Sequence, residues 1–190
     1  MNFTFLALFF LTSCATYKFN RSALKNDSIA FIPHADYVTY EVEYAPVKKV
    51  FDKLVKDVGE LKTRGEAHIT VITPPEFNDT LKKKITIDEL NALALREKIQ
   101  SSRYEPVCVG RGFAGELKTY YIVVSSPDLL NIRKKVQELY VKKGGAARDF
   151  SPEKYYPHIT LGFTDRDLHE SDGVAKSERT CLQDGQISVQ

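Results

Sequence analysis

Residues 37–44 alternate with period two, which predicts a strand carrying Val38, Tyr40, Val42 and Tyr44 on one face. Pro46 suits the first turn of a helix. Val47, Val50, Phe51, Leu54, Val55 and Val58 then recur at steps of three and four, and Gly59 follows where a helix end favours positive φ. Residues 67–73 return to β-branched side chains and stop at Pro74 and Pro75, which cannot continue a ladder. The order strand, helix, strand then repeats. Residues 117–126 read as a strand rich in Tyr and Val, and Ser126 with Pro127 sets the cap and first turn of a second helix. Its stripe is Leu129, Ile132, Val136, Leu139 and Tyr140, Gly144 and Gly145 end it, and residues 156–163 form the closing strand. Between the units, residues 86–101 read as helical, with Thr86 and Glu89 as a capping box and Ile87, Leu90, Leu93 and Ala94 inward. Residues 104–109 read as a further strand. The repeated pattern predicts an α+β fold of duplicated βαβ-like lobes with antiparallel sheets around a central cleft. The last ten or so residues are expected to form a mobile tail.

The amino terminus has a different character. Residues 3–11 are apolar except for Thr4, a run well short of the roughly 20 residues of a spanning helix and suited to an export signal. It ends at Leu11-Thr12-Ser13-Cys14, which resembles the lipobox of bacterial lipoproteins. That resemblance implies removal of residues 1–13, a lipid on Cys14, and a protein anchored in the bacterial cell envelope on its periplasmic or surface side. No Lys or Arg precedes the apolar run, and a buried N-terminal strand is the competing reading. The expected organisation is a signal over residues 1–13, a linker and lead-in over 14–36, one domain over 37–164, and a substrate-adjacent loop and tail over 165–190.

A chain of 190 residues with 43% hydrophobic and 27% charged residues fits one folded domain and excludes collagen, coiled coil and wholesale disorder. Its net charge of +2 supplies no strong field for a long nucleic acid, so an anionic ligand must be held locally. Besides Cys14, only Cys108 and Cys181 remain, too few for a disulfide framework and without the spacing of a zinc site. Cys108 reads as a small buried hydrophobe, and a bridge to Cys181 is compatible with an oxidising envelope without being established by spacing.

The two units end alike, in His68-Ile69-Thr70 and His158-Ile159-Thr160. In each strand the intervening Ile faces the core, as do Val71, Leu161 and Phe163, so His and Thr share the opposite face. Each strand offers an imidazole and a hydroxyl side by side. Two imidazoles, one neutral and one protonated, can act as general base and general acid in displacement at phosphorus. Hydroxyls beside them can hydrogen-bond phosphoryl oxygens as charge builds. One such tripeptide is ordinary in a strand, whereas a matched pair favours chemistry.

At these residues the chain resembles the 2H phosphoesterase superfamily, whose signature is two His-x-Thr/Ser motifs, each on a strand, in a duplicated bilobal fold. The resemblance covers roughly residues 37–164, and residues 157–163 are its most specific stretch. It implies a metal-independent phosphodiesterase, without cofactor, in which His68 and His158 are the acid and base and Thr70 and Thr160 hold the phosphate. Which His takes which role stays open. The expected substrate is a small cyclic or 2′-linked nucleotide phosphate, with RNA end trimming and a non-catalytic, envelope-anchored nucleotide-binding module as alternatives. A monomer with no protein partner is expected.

Several further residues carry weaker signals. Tyr155 and Tyr156, just before His158, are candidates for stacking a base, and Tyr156 is retained as a substrate-binding residue. His169-Glu170-Ser171 repeats the tripeptide in a charged context and reads as a surface loop, from which His169 or Lys176 can reach a ligand. His34 has no partner nearby in sequence and reads as incidental. Gly110-Arg-Gly-Phe-Ala-Gly115 matches G-x-G-x-x-G but leads into a strand, so it reads as a turn between strands. Lys82, Lys83 and Lys84 read as a solvated run, and Arg111, Lys118, Arg148 and Lys154 as exposed cations near the edges of the cleft.

Overall fold

A computed structural model of the chain describes residues 16–190. The expected signal over residues 1–13 and the lipidation site Cys14 lie outside the described residues. Seven strands form one mixed sheet: β1 (Tyr17–Phe19), β2 (Val38–Glu41), β3 (His68–Ile72), β4 (Glu105–Ala114), β5 (Leu117–Ser125), β6 (His158–Phe163) and β7 (Cys181–Val189), in the spatial order β1-β7-β4-β5-β6-β3-β2. Every pairing is antiparallel except β1 with β7. The helices are α1 (Tyr44–Val58), α2 (Ile87–Arg96) and α3 (Pro127–Lys142). The α+β class is as expected, but the two strand, helix, strand units do not carry separate sheets. β2 and β3 pair, β5 and β6 pair, and β3 lies against β6 to join them.

The helices cover one face of this sheet. α1 packs on β1 and β6, α3 on β3, and α2 between α3 and β2. The core beneath them is built from the residues whose alternation points that way: Tyr40, Ile69, Val71, Val109, Ile122, Val124, Ile159 and Leu161 from the strands, met by Val47, Val50, Leu54, Leu129, Ile132, Val136 and Tyr140 from the helices. The other face of the sheet is left for the site.

Several local expectations change. Tyr44 belongs to the first turn of α1 rather than to a strand, and Val58, at the far end of that helix, is exposed. The capping box of Thr86 and Glu89 is present, but α2 stops at Arg96; Lys98 adopts a left-handed backbone (φ 51) and a separate 3-10 turn follows over Ile99–Ser101. The expected tail is a strand: β7 pairs with β4 and supplies the partner for β1. Its start is bound to β4 by a disulfide between Cys108 and Cys181, whose Cα atoms are 5.8 Å apart. The lead-in is structured too, with Phe19 and Ala23 fully buried and Asn26 bonded to the Ala23 carbonyl and the Tyr40 hydroxyl.

One buried cation organises the approach to both His strands. Arg133 sits on the apolar stripe of α3 with 1% of its surface exposed. Its guanidinium reaches both oxygens of Glu76 (2.7 and 3.1 Å) and donates to the carbonyls of Val71, Ser151, Pro152 and Lys154. The rings of Phe150 and Tyr155 lie 4.8 and 4.7 Å from it. The planar five-donor fork suits such a task, which a lysine could not perform. It binds the end of β3 to the loop that leads into β6.

Candidate active site

On β3 and β6 the Ile residues of both tripeptides are fully buried against the helices, while His68, Thr70, His158 and Thr160 are half-buried on the opposite face. Ile69 lies directly opposite Ile159. Because the strands are antiparallel, this register sets His68 opposite Thr160 and Thr70 opposite His158. The two imidazoles are therefore diagonal neighbours, a relation that places residues about 7–8 Å apart with their Cβ atoms somewhat closer.

Neighbouring strands extend these pairs into two rows. Glu41 of β2 stands beside His68, and Tyr121 of β5 beside Thr160; Thr39 stands beside Thr70, and Val123 beside His158. Two flanking segments close over the rows. On one side His34 bonds Thr39 Oγ1 at 3.0 Å and stacks on Tyr37 with ring centroids 4.0 Å apart, while Thr39 donates to Glu41. His34 is thus not incidental: it caps the β2 edge of the site. On the other side the chain from 164 to 180 folds back over β4 and β5, with Leu168 fully buried and Val174 nearly so.

The glycine run makes that second closure possible. A Cβ on Gly112 would run into Val174, so that position must stay bare for the loop to dock, while one on Gly110 would lie 2.7 Å from the Tyr121 ring of β5 and 3.2 Å from Thr180 Oγ1. Only Gly115 (φ 57) serves the β4–β5 turn that the sequence suggested.

The docked loop delivers Asp167 and Lys176, whose side chains are 5% and 2% exposed and whose charged atoms are 2.9 Å apart. Asp167 also accepts from Thr119 (2.6 Å), Thr160 (3.1 Å) and Arg64 (3.3 Å). Lys176 Nζ lies 3.2 Å from His158 Nε2 and 5.4 Å above the Tyr121 ring, which meets the His158 ring edge to face. The remaining nitrogen of His158, Nδ1, is 2.7 Å from the Tyr156 carbonyl. A carbonyl accepts only, so Nδ1 carries the proton and Nε2 is the open lone pair.

The electrostatics of the two halves differ. Burial, and after it the Lys176 ammonium, pushes the His158 imidazole well below the usual histidine range. Burial also lowers His68, but there the carboxylates of Glu66 and Glu41 oppose it, Glu66 lying 3.6 Å from Nδ1. Burial works against the Asp167 carboxylate, yet Lys176 and the hydroxyl of Thr119 hold it well below the carboxylate range. The hydroxyls differ as well. Thr160 has committed its proton to Asp167, whereas Thr70 makes no side-chain hydrogen bond among the described residues.

All four motif residues therefore meet on one face. Tyr156, just before β6, is 36% exposed and accepts from His158 through its carbonyl. Lys176 reaches the site; His169 lies next to it, heading the 3-10 turn Glu170–Asp172, with its imidazole lowered by burial. Lys154 pairs with Glu170, and Arg111, Lys118, Arg148 and Lys82–Lys84 are exposed. Sequence reasoning missed Glu41, Glu66, Tyr121 and Asp167. Glu66 was within reach, since it shares the parity of His68 and Thr70; the others depend on strand order and loop docking. Among the described residues no group of three or more His, Cys, Asp or Glu side chains is arranged to hold a metal ion, and no helix is long and apolar enough to cross a membrane.

A family model for the Swiss Army Knife 2H phosphoesterase domain matches residues 36–169. No curated protein and no solved structure matches the chain.

Proposed function

The chain belongs to the 2H phosphoesterase family, and from that premise we propose that it is a metal-independent phosphodiesterase hydrolysing a cyclic or 2′-linked nucleotide phosphate with His68 and His158 as acid and base. The observation that carries the reading is the register of β3 against β6, which brings both imidazoles and both hydroxyls onto one face. The strand, helix, strand units then read as a duplication whose equivalent ends have become two halves of one site.

The step needs two proton transfers in opposite directions. One neutral imidazole takes a proton from water as its oxygen bonds to phosphorus; the other, protonated, gives its proton to the ester oxygen as that bond breaks. The products are a phosphomonoester and an alcohol, and each imidazole ends in the state in which the other began. Thr70, with its hydroxyl free, is the natural donor to a phosphoryl oxygen, and a quarter turn of the Thr160 hydroxyl away from Asp167 supplies a second. Tyr156 offers an exposed ring for a nucleobase. The lipid anchor at Cys14 and an envelope location complete the proposal, as does a monomeric protein acting on a small substrate.

The test is a panel of 2′,3′-cyclic mononucleotides, 2′,5′-dinucleotides and cyclic dinucleotides incubated with the purified domain, products being resolved by mass and phosphate position. Hydrolysis of at least one member, unaffected by chelator and abolished in a His68→Ala, His158→Ala double variant, is expected. Binding without turnover in the wild type would favour the non-catalytic nucleotide-binding module.

A further inference from the structure

We propose that Lys176, held by Asp167, fixes His158 as the general base and leaves His68 as the general acid, and that its ammonium passes from His158 to a phosphoryl oxygen when substrate enters. The inference rests on the phosphodiesterase reading for its chemistry but on separate observations for its geometry. Lys176 lies beyond the stretch matched by the family model, which ends at residue 169, so it is a contribution of the docked loop rather than of the matched motifs.

A lysine with 2% of its side chain exposed has left water at considerable cost, which lowers its ammonium from the usual range, and the Asp167 carboxylate at 2.9 Å, with Asp172 farther off, offsets part of that cost. That carboxylate is itself held by Thr119, Thr160 and Arg64, so the ammonium is aimed rather than free to wander. Of its three N–H groups one goes to Asp167 and another to His158 Nε2. Two consequences follow. A cation at 3.2 Å from Nε2 disfavours a second proton on that ring, while the Tyr156 carbonyl fixes the first on Nδ1. His158 therefore waits as a neutral base whose lone pair points into the site. At His68 the balance differs: Glu41 is its row neighbour and Glu66 lies 3.6 Å from Nδ1, two carboxylates that oppose burial, Arg64 and His34 and favour imidazolium once an anionic phosphate arrives.

The same contact explains how the base is released. A phosphate oxygen between the two rings is a better partner for an ammonium than an imidazole nitrogen. Moving that one hydrogen bond frees Nε2 to accept the proton of water and places positive charge against the phosphoryl group. The charged and titratable groups facing His158 are Lys176, Asp167 and His169 from the loop and Tyr121 from β5, so a change confined to Lys176 can be read against the rest.

Imidazole titration by NMR on the ligand-free protein tests the charge clamp without reference to activity. In the wild type, His158 should show the Nδ1–H tautomer with an unprotonated Nε2; an Nε2–H tautomer would overturn the proposal. In Lys176→Met the His158 midpoint should rise by about one to two pH units, and in Lys176→Arg it should stay near the wild type. An unchanged midpoint in a folded Lys176→Met protein is the other refuting result. Should Lys176→Met not fold, the wild-type tautomer and Lys176→Arg carry the test: an Nε2–H tautomer, or a His158 midpoint in Lys176→Arg well above that of the wild type, would overturn the proposal. Inorganic phosphate binding, followed by chemical-shift titration, should weaken at least about tenfold in Lys176→Met; unaltered binding would overturn the phosphoryl contact. On a turned-over ester, the acid limb of kcat/KM should move to higher pH in Lys176→Met and not in Lys176→Arg. A wild type that cleaves no phosphodiester would defeat the proposed function while leaving the titration result standing.

Discussion

Replacing Arg133 should loosen both ends of the site at once. Arg133→Ala removes a guanidinium that is 1% exposed and leaves behind the Glu76 carboxylate with four backbone carbonyls, those of Val71, Ser151, Pro152 and Lys154. Breaking a buried ion pair from one side costs about 3–5 kcal/mol. Glu76 keeps 24% of its side chain exposed and can recover some hydration, which lowers the electrostatic share. The stranded carbonyls and the space between Phe150 and Tyr155 add to it, so we expect a net loss of about 3–4 kcal/mol. For a domain of this size that corresponds to a fall in Tm on the order of 10 °C. Urea unfolding at constant m-value is the direct assay. Arg133→Lys keeps the charge but not the fork and should lose about half as much. The pairing of Arg133→Met with Glu76→Leu should recover part of the loss, because no charge is then left dry. A folded Arg133→Ala protein within about 1 kcal/mol of the wild type would refute the reasoning, since it would mean that water already shares those carbonyls.

Other outcomes bear on the chemistry. His68→Ala and His158→Ala should each lower kcat by at least about 100-fold, and the double variant should resemble the worse single one, because both rings serve one displacement; multiplied losses would mean independent roles. Thr70→Ala should cost about tenfold in kcat/KM with stability unchanged, whereas Thr160→Ala should also lower stability by about 1 kcal/mol through its bond to Asp167, a contrast that kinetics and urea melts together can check. His68, His158 and His169 are all lowered in the folded protein, so below about pH 6.5 the unfolded chain binds more protons than the folded one, and stability should decline steadily as pH falls from there. Thermal melts that hold constant from pH 7 to pH 4.5 would contradict those shifts.

Why some of this was legible in sequence and some was not comes down to range. Period two placed His68, Thr70, His158 and Thr160 on the face opposite Ile69 and Ile159, and period 3.6 found the buried stripes of α1 and α3, since both patterns are local and repeat within a few residues. Arg133 broke the second pattern in plain view: it occupies the same stripe as Leu129, Ile132 and Val136, but a charged residue there reads as solvent-facing until its partners, up to 62 residues away, are known. Asp167 and Lys176 lie in a stretch with no periodicity at all. Their meeting with His158 depends on a bare position at Gly112, in a run that reads in sequence as a turn. β7 was hidden for a related reason, because its alternation is weak and much of its support comes from β4, β1 and the disulfide, with Leu182 and Ile187 packing on the core.

The pairing of β1 with β7 has a consequence for the order of events at the ribosome. Tyr17 lies beside Ile187 and Phe19 beside Val189, so β1 finds its partner only when residues 187–189, far along the chain, have been made. Until then β4 is the sheet's outer strand, with an open row of backbone groups where β7 will sit, and Cys108 waits as a thiol for Cys181. The long delay before this contact forms makes it the slow, late part of folding. A chain truncated before residue 181 should therefore have its His strands paired while its edge is unfinished, and would present an exposed β4 rather than an unfolded site.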